Sequence, residues 1–400
     1  MLTLDKIYHA SYILKDVIRR TDLIIAPHIN PKANVFLKPE NLQLTGSFKV
    51  RGSYYKISQL SAEEKAKGVI ACSAGNHAQG VALAATKNGI RSIICLPDCA
   101  PISKIEATKS YGAEICLVEG VYDDAYQRAL KMRDEHGYTF IHPFDDIDVI
   151  AGQGTIGLEL LDQMKDLDAV IVPIGGGGLI SGVAFAIKSL NPKIKVYGVQ
   201  SSGAPSMANS IQNNKIERLG SVSTIADGIA VKEPGVNTFE LCSKYVDDIV
   251  TVTDDEVAAA ILSMIEHKKL IAEGAGAVSV AAAMFNKVPI EGKNVVCLVS
   301  GGNIDVNILD RVIKRGLLTS GRTYMLTLEL IDKPGELLNI SRIIAENGGN
   351  VIAVHHERTN ASMAINGCFL RINMETRNFE QIETIKKALL EAGYRICDHM

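Results

Sequence analysis

Lys49 stands in the run Thr45-Gly46-Ser47-Phe48-Lys49-Val50-Arg51-Gly52, one turn into an expected helix near 47–60 whose cap is Thr45 or Ser47. Flanked by Phe48 and Val50, its amine can lose its charge by desolvation, as a lysine that forms a Schiff base must. An ordinary helix lysine is the plain structural alternative. Ser73-Ala74-Gly75-Asn76-His77-Ala78-Gln79-Gly80 falls where a strand Val69–Cys72 should meet a helix. A hydroxyl, an amide and free helix N-terminal N–H groups there make a seat for a carboxylate. His77 reads either as a general base or as an orienting, structural group.

Gly175-Gly176-Gly177-Gly178-Leu179 directly follows the apolar run AVIVPI and opens a helical stretch. Glycines without Cβ let several backbone N–H groups converge on an anion at the positive end of a helix. No Lys-Ser/Thr pair follows, so a single phosphate monoester is indicated rather than a nucleoside triphosphate. A glycine-rich packing turn is the alternative. Ser300-Gly301-Gly302-Asn303 closes an expected strand Asn294–Val299 and holds no acid. If an aromatic nitrogen lies at that sheet edge, its partner is the neutral hydroxyl of Ser300. A decoy also occurs: Gly152-Gln153-Gly154-Thr155-Ile156-Gly157 fits the dinucleotide fingerprint, but three aspartates precede it in place of an apolar strand. We therefore expect a tight turn entering a helix there.

The elements that must position these runs alternate. Short strands are expected at Val35–Lys38, Val69–Cys72, Ser92–Leu96, Glu114–Val118 and Tyr138–His142, then at Ala169–Pro173, Lys195–Gln200 and Asn294–Val299, with helices between. This is an α/β pattern of two wound βα lobes, a small one at about 41–149 and a large one from 1–40 and 150–316. A linker is expected at 317–322, inside the run GLLTSGR. Beyond it, alternating strands and amphipathic helices in the order βαββα, with a last short strand, predict a separate α+β module over 323–400.

Lys and Arg number 42 against 45 Asp and Glu, a net charge of −3 with the signs interspersed, so there is no electrostatic footprint for nucleic acid or an anionic membrane. The eight cysteines fall in apolar runs without metal-site spacing and read as reduced core thiols. The opening run MLTLDKIYHA meets charge at Asp5 and Lys6 and has no apolar signal-peptide core, so a cytoplasmic location is expected. Ala169–Ile187 is uncharged over 19 residues, but Pro173 and four glycines make it strand, loop and buried helix rather than a membrane span.

In their order, TGSFKVRG, SAGNHAQG, GGGGL and SGGN resemble the pyridoxal-phosphate enzymes of the tryptophan synthase β family, fold type II. Three further runs, AGQGTIGLEL at 151–160, TIADGIAVKEPG at 224–235 and EGAGA at 273–277, are similar to the threonine dehydratases (threonine ammonia-lyases) within that family. Residues 322–400, with DKPGEL at 332–337, resemble a single ACT domain. The resemblance implies that pyridoxal phosphate lies in the cleft between the lobes, with Lys49 as the Schiff-base lysine and Phe48 packed on the ring. Asn76 would meet the ring 3′-oxygen, Ser300 would meet the pyridine nitrogen, and Gly175, Gly176, Gly177, Gly178 and Leu179 would cradle the phosphate. Ser73, Gly75, Asn76 and His77 would hold the carboxylate of an amino-acid substrate.

The implied activity is conversion of L-threonine to 2-oxobutanoate and ammonia, with L-serine giving pyruvate as a side reaction. A serine-preferring dehydratase or β-replacement lyase, or an amino-acid sensor with a vestigial cofactor lobe, are the rivals. Related serine racemases carry a hydroxyl as second-face base where this chain has Ala74. Gln200, Ala204 and Ser206 stand where their divalent metal site needs carboxylates, so no metal site is expected. The ACT-like module would bind an amino-acid effector, isoleucine or valine, through Gly335 and Asn350, in a homo-oligomer.

Overall fold

The computed structural model describes residues 1–358 and 366–397; the parts of the expected C-terminal module at 359–365 and 398–400 lie outside the described residues. The chain divides into two compact units, Met1–Ile308 and Leu309–Met400.

The first unit carries β1 (Ile24–Ile25), β2 (Asn34–Pro39), β3 (Val69–Cys72), β4 (Ser92–Pro97), β5 (Glu114–Val118), β6 (Thr139–Phe140), β7 (Ala169–Pro173), β8 (Lys195–Ser201), β9 (Asp248–Val252) and β10 (Asn294–Val299). They form two sheets, β5-β4-β3-β6 and β1-β2-β10-β7-β8-β9. All neighbours run parallel except β1 with β2. β3, β4 and β7 are buried at every residue, because helices cover both faces of a parallel sheet and the strands read as continuous apolar runs. β2 pairs with β10, which puts the segment leading to Lys49 on the larger sheet.

Each sheet carries an apolar core. Val170, Val172, Ile180, Val183 and Val296 belong to the core of the larger sheet. Val69, Ala71, Val81, Ile94 and Leu96 belong to that of the smaller.

Sequence and structure part company at the glycine fingerprint. Gly152, Gly154 and Gly157 lie inside one helix, Ile147–Gln163, capped by the Asp146 carboxylate, which accepts from the amides of Asp148 and Val149. The aspartates that argued against a strand are the start of this helix, and no turn occurs. The glycines instead admit neighbouring backbones. A Cβ on Gly152 would stand 2.6 Å from Arg51 O and from Gly52 Cα. One on Gly154 would stand 3.0 Å from Gly182 O, and one on Gly157 would stand 2.9 Å from Ala186 Cβ.

Beside this contact lies a buried charge cluster. Arg51, fully buried, donates from Nε and Nη2 to both oxygens of Glu40 at 2.8 Å, and from Nη1 to Glu159 at 2.6 Å. Lys38 reaches Glu159 at 2.6 Å.

In the second unit a helix, Val306–Thr319, begins ahead of the unit boundary and runs through part of the stretch 317–322, where the sequence suggested a linker; a turn then leads into the next strand. β11 (Thr323–Ile331), β12 (Asn350–Glu357), β13 (Gly367–Glu375) and β14 (Arg395–Ile396) make an antiparallel sheet in the order β12-β13-β11-β14. Helices Glu336–Glu346 and Phe379–Glu391 pack on it through Ile340, Ile344, Ile385 and Leu389. Among the described residues, no helix is long and apolar enough to cross a membrane. All eight cysteines are free thiols, but Cys99 is exposed rather than in the core.

Candidate active site

The turns that leave the carboxyl ends of β3, β6, β7 and β10 open on one cavity of about 740 Å³, the position where wound parallel sheets hold ligands. Those turns carry Ser73 to His77, His142 to Asp145, Gly175 to Leu179, and Ser300 to Asn303. Phe48, Lys49, Ser73, Gly75, Asn76, His77, all four glycines, Leu179 and Ser300 therefore line the same space.

Lys49 opens the helix Lys49–Ser58, and neither Thr45 nor Ser47 caps it. The start is delayed because the preceding turn is stitched to the one after β10. Ser47 bridges Gly301, Phe48 N donates to Ser300 O at 3.1 Å, and Asn303 Nδ2 donates to Thr45 O at 2.8 Å. This fixes the first helical residue against the larger sheet. Lys49 Nζ donates to Pro143 O at 2.8 Å and stands 5.3 Å from the centre of the Phe48 ring. Burial lowers its pKa to about 8, with the Glu273 carboxyl pulling the other way.

Gly177, at φ +97°, ends the glycine turn and caps the helix Gly178–Leu190. A Cβ there would come 2.7 Å from Met207 Cε, and one on Gly178 would come 2.7 Å from Phe144 O. Thr238 Oγ1 donates to Gly176 O at 2.6 Å and holds the turn from behind. The Asp145 carboxylate accepts from the amides of Val236 and Thr238, pinning the helix Val236–Tyr245 that carries that threonine. The result is a seat made of main-chain amides at a helix N-terminus.

The Ser300 hydroxyl is buried and donates to Ala275 O at 3.3 Å, a long bond that is easily exchanged for a ligand. Asn76 opens the helix Asn76–Lys87; its Nδ2 donates to Glu273 Oε1 at 2.6 Å, and its Oδ1 accepts from Asn303 Nδ2 at 2.7 Å. Ser73 Oγ accepts from Gly75 N at 3.1 Å.

His77 Nε2 meets Ile141 O at 2.8 Å, so that nitrogen carries the proton, while Nδ1 is buried and unpartnered. Burial, with Lys49 next, lowers its pKa to about 3, which leaves the ring neutral and favours orientation over proton transfer. His142 is likewise fixed: Nδ1 accepts from Asp145 N at 2.8 Å and burial lowers its pKa.

Gln200 is buried and spent on local structure. Its amide oxygen accepts from Ala208 N at 2.9 Å and its Nε2 donates to Ile174 O. The sequence-predicted effector residues lie in the second unit. Gly335, at φ +98°, caps the helix Glu336–Glu346 with open space around its missing Cβ, and Asn350 Nδ2 donates to Glu375 Oε2 at 2.8 Å.

Sequence reasoning missed Glu273, Asn303 and Asp145. Glu273 was visible only as a letter of EGAGA; a lone acid before a run of glycine and alanine was the signal, since it is buried in the wall of the cleft.

The sequence profile of the pyridoxal-phosphate dependent enzymes matches residues 14–301. An L-threonine ammonia-lyase of Thermotoga maritima is 48% identical over 398 residues, 99% of each chain. The processed form of threonine deaminase isoform 2 from Solanum lycopersicum superposes with a TM-score of 0.74 at 38% identity, covering 78% of this chain and 89% of that one. Maize serine racemase also gives 0.74, at 36% identity, over 80% of this chain and 98% of that one.

The cavity fits pyridoxal phosphate on its own terms: a desolvated amine, an amide seat too tight for side chains, and a buried hydroxyl and amide face one space. With that match spanning most of the first unit, the chain belongs to the pyridoxal-phosphate-dependent enzyme family.

Proposed function

We propose that this protein is a threonine ammonia-lyase, which converts L-threonine to 2-oxobutanoate and ammonia, the water lost in the elimination being taken up again when the released product hydrolyses, and turns L-serine over to pyruvate more slowly. The observation that carries the reading is the buried Lys49 amine, whose pKa burial lowers, in the cavity where the four runs converge. The likeness over nearly the whole chain to a threonine ammonia-lyase supports it.

Pyridoxal phosphate, when bound, supplies the electron sink that acidifies the Cα proton of an amino acid. The amides of Gly175, Gly176, Gly177, Gly178 and Leu179 would hold its phosphate, Phe48 would pack on the ring, and Asn76 and Ser300 would meet the 3′-oxygen and the ring nitrogen. The substrate carboxylate lies on the N-terminus of helix Asn76–Lys87, among Ser73, Gly75, Asn76 and His77, where amide donors and the helix dipole favour an anion.

Lys49 holds the reaction's proton. With its pKa lowered to about 8, a useful fraction of the amine is neutral near physiological pH, and Nζ takes the Cα proton as general base. Pro143 O keeps Nζ on one side of the cavity. Ala74 offers no base on the opposite face, which favours elimination over racemisation. Ser300 carries a hydroxyl rather than an acid, so the ring nitrogen is not driven to protonate, and this suits a reaction in which the departing β-hydroxyl relieves charge at Cα.

In the same reading the protein is a cytoplasmic homo-oligomer whose second unit is an ACT-like regulatory module. Gly335 and Asn350 there hold an amino-acid effector such as isoleucine or valine. The test is steady-state release of ammonia and of the 2-oxo acid from L-threonine, L-serine and O-acetylserine. The largest kcat/KM with threonine is expected; a larger value with either other substrate overturns the assignment.

A further inference from the structure

Glu273 has no place in the chemistry set out above, yet it is 4% exposed and lies against the centre of the site. Its carboxyl sits where three turns meet. A Cβ on Gly301 would strike Oε1, a Cβ on Gly228 would lie 3.4 Å from it, and Asn76 Nδ2 donates to it at 2.6 Å. The main chain fixes it too, since Glu273 N donates to Gly301 O at 3.1 Å. The chain of amides behind it has one sense. Asn303 spends its Nδ2 on Thr45 O and on Asn76 Oδ1, so Asn76 must turn its NH2 group to Glu273, leaving its second N–H for the cavity.

We infer that Glu273 is a positioning residue that aims the Asn76 amide at the 3′-oxygen of the bound cofactor and keeps a proton next to it, so that its ionisation tunes the ring. The inference rests on the role given to Asn76 in the proposed function. The charged groups facing Glu273 are Asp227, paired with Lys104 at 2.7 Å across the cavity, and Lys49. Burial, then Asp227, pushes the carboxyl up to about 7, against the Asn76 bond, Lys104 and Lys49. His77, next to Asn76, is neutral and adds no charge. Near neutral pH the carboxyl is therefore divided between an acid, which leaves the 3′-oxygen unopposed, and a carboxylate, which repels negative charge there.

The experiment follows the absorbance of the bound cofactor and kcat with L-threonine, between about pH 5.5 and about pH 8.5, in wild type, Glu273→Gln and Glu273→Ala. Glu273→Gln keeps the size and an oxygen acceptor for Asn76 but cannot ionise. We expect the wild-type spectrum to titrate with one group near neutrality and the Gln variant to lose that titration, holding the acid-form spectrum throughout. Its cofactor affinity should stay within about threefold of wild type, whereas Glu273→Ala, which frees the Asn76 amide, should weaken it about tenfold or more.

A wild-type spectrum that is flat over this range, or a titration that persists in Glu273→Gln, overturns the inference. If the Gln variant does not fold, judged by circular dichroism, the wild-type spectrum alone decides. Failure of the proposed function looks different: a wild type that binds the cofactor and titrates but releases no ammonia from threonine refutes that reading and not this one.

Discussion

Arg51→Met is the perturbation that separates holding the site together from performing its chemistry. Arg51 is fully buried and makes five hydrogen bonds, to both oxygens of Glu40, both oxygens of Glu159 and the Thr155 hydroxyl. A methionine fills the volume but leaves Glu40, itself 0% exposed, with the Thr21 hydroxyl at 3.2 Å, and Glu159 with Lys38 alone among its charged partners. Breaking one side of a buried ion pair costs about 3–5 kcal/mol because the orphaned charge stays in low dielectric. At about 2.1 cal/mol/K per residue, the unit Met1–Ile308 has an unfolding entropy of about 0.65 kcal/mol/K, so the loss lowers Tm by about 5–8 °C.

The pH dependence of that loss has a definite sign. Burial pushes Glu159 up, but Arg51 and Lys38 together hold its pKa below the ordinary value. A carboxylate held low contributes stability that is present above its unfolded pKa and lost as pH falls through the folded one. Without Arg51 that contribution is already reduced at neutral pH, so the Tm gap should narrow below about pH 4. Scanning calorimetry of both proteins with cofactor bound provides the assay, and kcat below the melting range should change little because Arg51 does not line the cavity. A Tm within about 2 °C of wild type, or a gap that widens in acid, refutes the reasoning.

Lys49→Ala should abolish turnover and borohydride trapping of the cofactor on the protein while leaving Tm near wild type; a trapped adduct on another lysine would displace Lys49 from its role. Ser300→Ala, losing one hydrogen bond of about 1–3 kcal/mol, should lower kcat by about 5- to 150-fold without abolishing it, and an unchanged rate puts Ser300 outside the reaction. With Ala74 in place, chiral chromatography should find negligible D-serine beside pyruvate; comparable amounts refute the one-face assignment. Calorimetry on the full chain should detect isoleucine or valine, and Asn350→Ala should weaken that binding about tenfold without altering basal activity; if no amino acid binds, the module is not a sensor.

What the sequence made legible was whatever rests on short-range pattern. β3, β4 and β7 are apolar runs bounded by turn residues, and the helix at Gly178 begins where the glycines end. Three of the four runs that line the cavity are each a strand end and the turn after it, so they can be read locally; the fourth, TGSFKVRG, leads into a helix whose start is set by the distant turn after β10. Features whose cause lies in distant contacts were hidden. Asp248–Val252 is a strand because it completes the edge beside β8, and its half-buried, acid-led sequence shows no clean alternation. The start of Ile147–Gln163 was lost among aspartates that cap rather than break it. Glu273 could be spelled but not interpreted, since its meaning comes from Asn76, some two hundred positions earlier, together with two glycines in other turns. The stretch 317–322 has a linker's composition, yet a helix that begins at Val306 carries into it as far as Thr319.

The contacts of Gly152 with Arg51 O and Gly52 Cα join main chain to main chain, within three residues of Lys49. Ordinary core contacts drift over evolutionary time, as one side chain grows and its neighbour shrinks. A seam between two backbones has nothing to resize. The placement of the reactive amine relative to the larger sheet is therefore insulated from turnover in the surrounding core: Val170 or Ile180 can be exchanged without moving it, whereas a single methyl group at Gly152 would move it at once. Mutational tolerance should thus be sharply graded over a few ångströms, permissive in the large side chains and strict in the smallest ones.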